Sequence, residues 1–565
     1  MRKVANLIES EIPEPPLPWE RTREATALPV ACPQTQWEVQ YVERHVPYFF
    51  QNGPDWVDRM NEDCLYLNIY VPRVSTEGLL PVLVHVHGGS NEVGMGAMFD
   101  GDVLASLGEI IVITFNYRLG AFGFLSGEDE VLPGNYGLYD QTMAFRWVKD
   151  NIQYFGGDPD RVTIQGHSAG GTDVGQHVVS PLSKGLFRYA VMQSGSPLAY
   201  WALLHPPAST LPSTREFVQR LGCGGTSSMA TIKACLKKLS WKDINGAQYM
   251  YVPGLYNFSP VVDGRFILDT PERALQNLPI NGKAFMTGIT RDEGSLTAQV
   301  ILQTAEKDQR QFRFEEDNPK DYTPPPVQAF SMIPGISHLV FHEYKPWDDP
   351  YNKTANLVGV SHVVGDSTFV APAVELANLL SGRVERTYLY TFNHVSRFTK
   401  DPLWMGVPHG RDLFYLFGCP FSGHPLHNYS QVDKNVSRKF IQLWSNFVKH
   451  GRPFLDDPDN PFTPYDERNQ SYIVVANNGN DVVISNGKRL RSRKVAFWNN
   501  LLPKLRKPEP EEDDIRGALT WVFVAMTSVL LVVVVILSLC VAYFRRLAHD
   551  RCIVHANDEK SSCQL

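Results

Sequence analysis

One short motif in this sequence combines a nucleophile with the backbone freedom that nucleophilic chemistry needs. Gly166–Gly171 reads GHSAGG and places Ser168 among glycines, directly after the apolar run Val162–Gln165 and before a helical pattern. A sharp strand-to-helix turn lifts such a serine clear of a sheet, and flanking glycines let the backbones pass closely. The N-terminus of the following helix favours developing negative charge. The motif predicts a nucleophilic serine, and a Gly-rich turn with an inert serine is the alternative.

A second Gly-rich motif follows another apolar run. His87–Ser90 reads HGGS and comes directly after Val82–Val86. Acyl transfer passes through a tetrahedral oxyanion, which backbone N–H groups must reach without side chains in the way. We therefore predict that the backbone amides of Gly88, Gly89 and Ala169 form an oxyanion site.

The elements that carry these motifs follow an alternating pattern. Short apolar runs alternate with helical patterns and no internal repeat is visible, which predicts an α/β fold with a largely parallel sheet. Val82–Val86 and Ile110–Phe115 are predicted strands, Leu138–Phe155 a helix that Gly156 ends, and Val162–Gln165 a short strand. No linker interrupts residues 1–507, so we predict one large domain, since open sheets of 8–15 strands occur in large α/β enzymes.

Composition excludes two classes of protein. The chain has 565 residues, of which 43% are hydrophobic and 20% charged, and this is globular rather than disordered composition. The formal net charge is −7. Because a nucleic-acid binder needs a basic footprint and the chain has only short basic clusters, we predict no nucleic-acid partner.

The C-terminal segment predicts a membrane anchor. Residues 517–544 contain no charged side chain and exceed the ~20 apolar residues that a helix needs to cross a bilayer. An acidic, Pro-rich linker at 508–516 precedes them, and a short tail at 545–565 begins with two arginines. Because positive residues stay cytoplasmic, the pattern predicts a single-pass protein with residues 1–507 extracellular or luminal. A long buried core helix is the alternative.

Cysteines and glycosylation sequons agree with export. Five cysteines precede the span, which favours disulfides and leaves one cysteine over. Four sequons predict glycosylation, at Asn352, Asn428, Asn435 and Asn469. The first 30 residues contain no apolar core of a signal peptide, so either the span directs insertion or the chain lacks its true N-terminus.

Several longer motifs resemble the type-B carboxylesterase/cholinesterase family. They are Gly134–Gly171, Glu62–Tyr70 (EDCLYLNIY), Asn116–Leu125 (NYRLGAFGFL) and Gln193–Pro197 (QSGSP). The resemblance runs from about Trp19 to Leu505. It implies an α/β-hydrolase fold with one large, mostly parallel central sheet flanked by helices. It also implies a Ser–acid–His triad and neither a metal nor an organic cofactor.

The resemblance supplies the other two triad members. Gly288–Ser295 (GITRDEGS) is similar to the acid turn of the family and makes Glu293 the orienting carboxylate. Gly406–Gly410 (GVPHG) is similar to its histidine loop and makes His409 the general base. In the chemistry this implies, His409 takes the proton of Ser168, Glu293 fixes the tautomer of His409, and water releases the acyl-enzyme. Activity should therefore rise from acidic toward neutral or alkaline pH.

The family pattern also implies a disulfide framework. It pairs Cys32 with Cys64 and Cys223 with Cys235, and it leaves Cys419 either buried or available for an intermolecular bond. The segment that begins at Ile12 (IPEPPLPWERTREATALPVACPQ) is similar to a segment of the family. In the family, a signal peptide and the first strands normally come before that segment. The N-terminus is therefore expected to be truncated, with edge strands missing from the sheet.

Three positions bear on specificity and on the triad. His167 stands before the nucleophile, where cholinesterases of the family carry a glutamate that helps hold a quaternary ammonium group, and this argues against a choline ester. Trp201 stands where those enzymes have an acyl-pocket tryptophan. Ser194 is either a partner of the triad or a plain turn serine.

Two functions remain open from the sequence. The first is a membrane-anchored serine hydrolase that acts on small carboxylic esters. The second is a cell-adhesion protein of the neuroligin-like branch, which binds protein partners through its ectodomain and has residual or no hydrolase activity. Because that branch has usually lost the nucleophile, the retained Ser168 is the feature that favours the enzyme.

Overall fold

A computed structural model describes most of the chain between residues 59 and 505. The gaps within this range are 75–77, 205–208, 225, 249–257, 308–334, 397–400, 423–427 and 460. Residues 12–16, 20–22, 24–35, 526 and 537–546 are described as well. The chain divides into two compact units, Met1–Pro503 and Lys504–Leu565.

The described residues of the first unit contain a single nine-stranded sheet. Its strands are β1 (Leu67–Tyr70), β2 (Leu80–Val86), β3 (Ile111–Phe115), β4 (Gly157–His167), β5 (Tyr189–Gln193), β6 (Ala284–Thr290), β7 (Arg386–Phe392), β8 (Ser471–Asn477) and β9 (Val482–Lys488). Their spatial order is β1-β3-β2-β4-β5-β6-β7-β8-β9. β1 and β9 pair antiparallel with β3 and β8, and all other neighbours are parallel. The prediction of a large, mostly parallel central sheet is confirmed.

Helices connect the strands and cover both faces of the sheet. They are α1 (Asp102–Gly108), α2 (Gly120–Phe124), α3 (Tyr136–Asn151), α4 (Ala169–Val179), α5 (Leu211–Arg220), α6 (Met229–Leu236), α7 (Trp241–Ala247), α8 (Pro271–Asn277), α9 (Ser295–Lys307), α10 (Ile336–Tyr344), α11 (Lys353–Gly365), α12 (Ala371–Ser381), α13 (Arg411–Leu416), α14 (Gln431–His450), α15 (Ser492–Ala496) and α16 (Leu502–Leu505). Short 3₁₀ turns occur at Ile152–Phe155, Pro181–Ser183, Leu403–Met405 and Cys419–Phe421, and π-helical turns at Asp366–Val370 and Phe497–Leu501.

The two cores arise from the period-two alternation of the strands. In β2, Val82 and Val84 lie in a core with α3 and α4, whereas Leu83 lies in a second core with α14. Successive side chains of a strand point to opposite faces, so a strand covered on both faces is apolar throughout. This explains the continuous apolar runs in the sequence and fits the α/β-hydrolase fold that the family resemblance implies.

The largest boundary differences from the sequence expectation are in β4 and α3, whereas β2 and β3 begin within two residues of the predicted positions. β4 begins at Gly157 rather than Val162 and is 11 residues long, because Gly157 already pairs with Leu80 of β2. The apolar run marks only the part of β4 that is buried in the cores. The predicted helix Leu138–Phe155 begins at Tyr136, ends at Asn151 and continues as a 3₁₀ turn until Gly156, whose φ is 81°.

The cysteines of the first unit match the family framework. Disulfides join Cys32 to Cys64 and Cys223 to Cys235, as the resemblance implied. Cys419 is a buried thiol outside both disulfides, and burial raises its pKa. Of the two alternatives for Cys419 the structure favours burial, since an intermolecular bond would need an accessible sulfur.

The predicted membrane span lies mostly outside the described residues. Of residues 517–544 only 526 and 537–544 are described, and the stretch 537–546 is helical with exposed side chains. The described residues do contain one helical stretch that is long and apolar enough to cross a bilayer, Lys353–Ser381. An apolar 18-residue window of that stretch is 83% buried inside the fold, as expected for a core helix. The linker at 508–516 and residues 547–565 also lie outside the described part.

The four sequon asparagines are all among the described residues. Asn352, Asn428 and Asn469 are exposed, and Asn352 caps the N-terminus of α11. Asn435 is partly buried on α14, where its Oδ1 accepts a hydrogen bond from Gln431. Glycosylation at these positions stays a prediction.

Candidate active site

Ser168 occupies a strained turn between β4 and α4. Its φ and ψ are 55° and −125°, a combination that non-glycine residues rarely adopt and that clusters at functional sites. The Ser168 N–H donates to the carbonyl of Gln193 (2.9 Å), and the Ser168 carbonyl accepts from the N–H of Thr172 (3.0 Å). The turn is therefore held by main-chain bonds on both sides, and the serine side chain takes no part in holding it.

The glycines around Ser168 are required by close backbone contacts. A Cβ atom on Gly166 would lie 2.0 Å from the carbonyl oxygen of Gly170. A Cβ atom on Gly170 would lie 2.2 Å from the carbonyl oxygen of Val86, at the end of β2. These distances are too short for any side chain, so the predicted steric reason for the glycines is observed.

Glu293 and His409 form the hydrogen-bonded pair that the family resemblance implies. His409 Nδ1 lies 2.6 Å from Glu293 Oε2, and the carboxylate is fully buried. The other oxygen, Oε1, accepts from the Ser194 hydroxyl (2.6 Å) and from the Thr290 N–H (2.7 Å). An ionised carboxylate only accepts hydrogen bonds, so Nδ1 of His409 carries a proton and Nε2 is left as the basic nitrogen. Ser194 is therefore a partner of this pair rather than a plain turn serine.

Asp292 joins the acid turn to the histidine loop. Its Oδ2 accepts from the Val407 N–H (2.8 Å), and its own N–H donates to the Val407 carbonyl (3.1 Å). Val407 lies two residues before His409, so this double contact fixes the loop that presents the imidazole. Sequence reasoning did not single out Asp292, although it stands directly before Glu293 in the acid turn.

His167 connects the serine turn to the histidine loop. Its ring centroid lies 4.6 Å from that of His409. Both nitrogens of His167 are buried and have no hydrogen-bond partner among the described residues. Burial, with a smaller effect from the charge of His409, holds the pKa of His167 well below its ordinary value. The side chain beside Ser168 is therefore a neutral imidazole at physiological pH.

Aromatic rings form the other side of His409. Phe369, in the π-helical turn Asp366–Val370, lies 4.5 Å from the His409 ring. Trp201 lies 5.9 Å from Phe369, and its indole N–H donates to the carbonyl of Thr368 (3.3 Å). The structure thus places Trp201 near the site, as the family pattern suggested. Phe369 was missed because one phenylalanine in an apolar helix gives no signal of its own.

The HGGS loop contacts the serine turn. A Cβ atom on Gly88 would lie 3.0 Å from Ser168 Cβ, so this backbone passes directly beside the nucleophile. Gly89 has a φ of 112° and Ser90 a φ of 58°. Among the described residues the N–H of Ser90 donates to no backbone carbonyl, so it is a further candidate donor. It was not predicted from the sequence, because only the glycines of this loop were considered.

These groups together have the parts needed for acyl transfer. A buried carboxylate orients an imidazole, this imidazole packs against His167, which directly precedes a serine on a strained turn, and a Gly-rich loop passes beside that serine. Within the described part of the chain, no group of three or more His, Cys, Asp or Glu side chains could hold a metal ion.

Known proteins resemble the chain over most of its length. A family model described as "Carboxylesterase family" matches residues 11–498. Acetylcholinesterase of Bungarus fasciatus is 33% identical over 504 residues, which cover 87% of this chain and 80% of that protein. Neuroligin-3 of Mus musculus is 32% identical over 541 residues, which cover 87% of this chain and 64% of that protein. The match therefore spans less than two thirds of the length of neuroligin-3.

Proposed function

Because the chain belongs to the carboxylesterase family, we propose that it is a serine hydrolase that cleaves carboxylic esters through an acyl-enzyme intermediate. The observation that carries the proposal is the 2.6 Å hydrogen bond between His409 Nδ1 and Glu293 Oε2. It lies beside the strained turn of Ser168, whose neighbour His167 packs against the His409 ring.

The proposed reaction has two halves. His409 Nε2 takes the proton of Ser168 Oγ as this oxygen attacks the ester carbonyl, and then gives the proton to the departing alcohol oxygen. Water repeats the attack on the acyl-serine, His409 again carries the proton, and the carboxylic acid leaves as Ser168 regains its hydrogen. Glu293 stays ionised and stabilises the imidazolium that forms in each half.

Backbone donors stabilise the oxyanion in both halves. We assign this role to the amides of Gly88, Gly89 and Ala169, with Ser90 as a further donor on the accessible side of the loop. Ala169 is the first residue of α4, where the helix dipole adds to the effect. Loss of one such donor typically lowers kcat by about 10²–10³.

The environment of Ser168 favours uncharged esters over choline esters. A quaternary ammonium group would need an anion or an open aromatic face near the serine. The residue in contact with His409 at this position is His167, a neutral imidazole. The aromatic rings of Phe369 and Trp201 lie on the other side of His409 and suit an apolar acyl or alcohol group.

We also propose that residues 517–544 anchor the enzyme in a membrane, with the catalytic domain outside or in the lumen. The exposed apolar side chains of the helical stretch 537–546 support this placement, since exposed Leu537, Leu539 and Val541 suit lipid better than water. Fractionation after high-salt and alkaline washes tests it. The full chain should stay in the membrane pellet and a chain that ends at residue 507 should not.

Labelling by a fluorophosphonate probe tests the enzymatic proposal. The wild-type protein should react at Ser168, and Ser168→Ala should abolish labelling and lower kcat for a neutral ester by at least about 10⁴-fold. A melting curve like that of the wild type would show that Ser168→Ala is folded. Labelling that survives in Ser168→Ala would reject the assigned nucleophile.

The similarity to neuroligin-3 makes adhesion the second candidate. In that case the triad would be residual, and the surface of the first unit would bind a protein partner. A folded wild-type protein that neither labels nor hydrolyses esters would favour this alternative.

A further inference from the structure

Asn91 ends the oxyanion loop and is tied to the helix that carries the nucleophile. The residue is 3% exposed and has a left-handed φ of 59°, which asparagine tolerates better than most residues. Its side-chain amide donates to Asp173 Oδ1 at 3.2 Å. Asp173 lies on α4, five residues after Ser168, so one helix carries both the nucleophile and the group that binds the loop.

Asp173 faces a second amide on its other oxygen. Gln141 Nε2, from α3, donates to Asp173 Oδ2 at 2.6 Å. The carboxyl group is fully buried, and no Lys or Arg of the described residues forms an ion pair with it. A carboxylate has acceptors only, so it matches two amide donors at once in a way that a hydroxyl side chain cannot.

The loop is also held by Tyr117 and by the backbone of Gly120. The Tyr117 hydroxyl donates either to the His87 carbonyl (2.9 Å) or to Asn91 Oδ1 (3.1 Å), and its ring stacks on His87. The Asn91 carbonyl accepts from the N–H of Gly120 (2.8 Å). Asp173 therefore contacts the amide nitrogen of Asn91 and Tyr117 its amide oxygen, so the side chain is held at both ends.

We propose that Asp173 is a positioning residue that, through Asn91, fixes the oxyanion loop His87–Asn91 relative to Ser168. This inference rests on the proposed function, and Asp173 itself touches neither substrate nor Ser168. Donor amides stabilise an oxyanion only if the distance between donor and oxyanion is within a few tenths of an ångström of its optimal value. A connection between the donors and the nucleophile helix maintains that distance.

The electrostatics of Asp173 agree with a functional reason for its presence. Burial raises its pKa to about 7, although the hydrogen bonds from Gln141 and Asn91 oppose this effect. An acid whose pKa is higher in the folded state than in the unfolded chain lowers stability as pH rises above about 4. A carboxylate here is therefore a cost to folding, which is common for groups that serve a site.

Variants of Asp173 separate positioning from general stability. Asp173→Ala leaves the amides of Asn91 and Gln141 without an acceptor, and should lower kcat by roughly 10- to 100-fold with KM within about twofold. In Asp173→Asn, the new side-chain oxygen can still accept the hydrogen bond from Gln141. The new NH₂ group can donate to the side-chain oxygen of Asn91 if the Asn91 amide rotates by 180°. This variant should therefore stay within about threefold of the wild-type kcat.

Ser183 offers a matched control, because it lies at the far end of the hydrogen-bond chain that runs from Asp173 through Gln141 and His177. His177 Nε2 bonds Gln141 Oε1 (2.9 Å), and its Nδ1 lies 2.6 Å from Ser183 Oγ. Ser183→Ala removes a buried hydrogen bond of the same kind without contact with the loop. It should lower the melting temperature and leave kcat unchanged. If Asp173→Ala does not fold, Asn91→Ala breaks the same bond from the loop side and should show the same loss of kcat.

Hydrogen–deuterium exchange of the folded full chain provides a readout that needs no activity. The peptide over residues 87–91 should exchange faster in Asp173→Ala or Asn91→Ala than in the wild type or in Ser183→Ala. Unchanged exchange in this peptide, or a wild-type kcat in these variants, would overturn the proposal. If exchange rises as expected but the wild type does not label, the hydrolase proposal fails while the positioning role of Asp173 is supported.

Discussion

Among the described residues, two histidines pair with a buried carboxylate, and the two pairs differ in exposure and in the bonding of the second ring nitrogen. In the candidate active site, His409 Nδ1 lies 2.6 Å from Glu293, and on β7's C-terminal side His394 Nε2 lies 2.8 Å from Asp433. Both carboxylates are buried. The His409 side chain is 18% exposed and the His394 side chain 2%.

The second ring nitrogen distinguishes the two pairs. His394 Nδ1 accepts a hydrogen bond from Asn477 Nδ2, so both of its nitrogens are used. Asp433 also accepts from Tyr415 and from Ser430, and with Ser430 it forms the capping box of α14. In the described part of the chain nothing bonds to Nε2 of His409. A histidine–carboxylate pair therefore stabilises the fold where both ring nitrogens are bonded, as in His394–Asp433. It can act in catalysis where one ring nitrogen stays available, as in His409–Glu293.

The largest expected effect comes from Glu293→Gln, which changes the tautomer of His409. Oε1 receives hydrogen bonds from Ser194 and Thr290, so the glutamine oxygen must face these donors and its NH₂ must face His409. The imidazole then carries its proton on Nε2 and cannot accept one from Ser168. We expect kcat to fall by about 10³–10⁴ with little change in melting temperature. A kcat within tenfold of the wild type would contradict the role assigned to Glu293.

Asp433→Asn makes the same carboxylate-to-amide change in the His394–Asp433 pair, which we call the structural pair. The new NH₂ group would face at least one of the donors His394, Tyr415 and Ser430, and a buried donor would lose its acceptor. Breaking a buried pair costs about 3 kcal/mol of unfolding free energy. We expect this loss in denaturant unfolding with kcat unchanged per folded molecule. A kcat loss like that of Glu293→Gln would remove the distinction between the two pairs.

The pH dependence of stability sharpens the same test. Burial would raise the pKa of Asp433, but hydrogen bonds from His394, Ser430 and Tyr415 hold it well below its usual range. The pair therefore stabilises the fold fully above the unfolded-chain pKa of about 3.9, and this stabilisation is lost as pH falls below that value. The difference in unfolding free energy between wild type and Asp433→Asn should shrink below about pH 4. A difference that grows on acidification would contradict this sign.

The sequence predicted the parts of the site that lie in contiguous motifs. The serine turn and the HGGS loop could be recognised because the glycines and the strand–turn–helix pattern that define them lie within a few consecutive residues. The acid turn and the histidine loop were found only through their resemblance to a family. Of the nine described strands, β2, β3 and β4 were predicted from their apolar runs, and the start of β4 was missed because its pairing extends into polar residues as far as Gly157.

Contacts between distant parts of the chain gave no signal. Asn91 and Asp173 are 82 residues apart, and His394 and Asp433 are 39 residues apart. A single polar residue in an apolar stretch fits a surface position as well as a buried network. Only the sheet order brings such partners together, which is why the connection behind the oxyanion loop was not predicted.

Ser194→Ala should have the smallest effect and show how far the support of the catalytic pair extends. The change removes the hydroxyl donor to Glu293 Oε1 and leaves the Thr290 N–H in place. The carboxylate keeps one donor on Oε1 but can rotate, so we expect a decrease of about 10-fold in kcat, or about 1.4 kcal/mol, with KM little changed. Ser437→Ala is the matched control, because its buried hydroxyl donates to the Tyr415 carbonyl (2.6 Å) beside the structural pair. Ser437→Ala should lower the unfolding free energy and leave kcat unchanged. Equal kcat in the two variants would show that Ser194 stabilises the fold without orienting Glu293, and the positioning of His409 would then depend on Thr290 and Asp292.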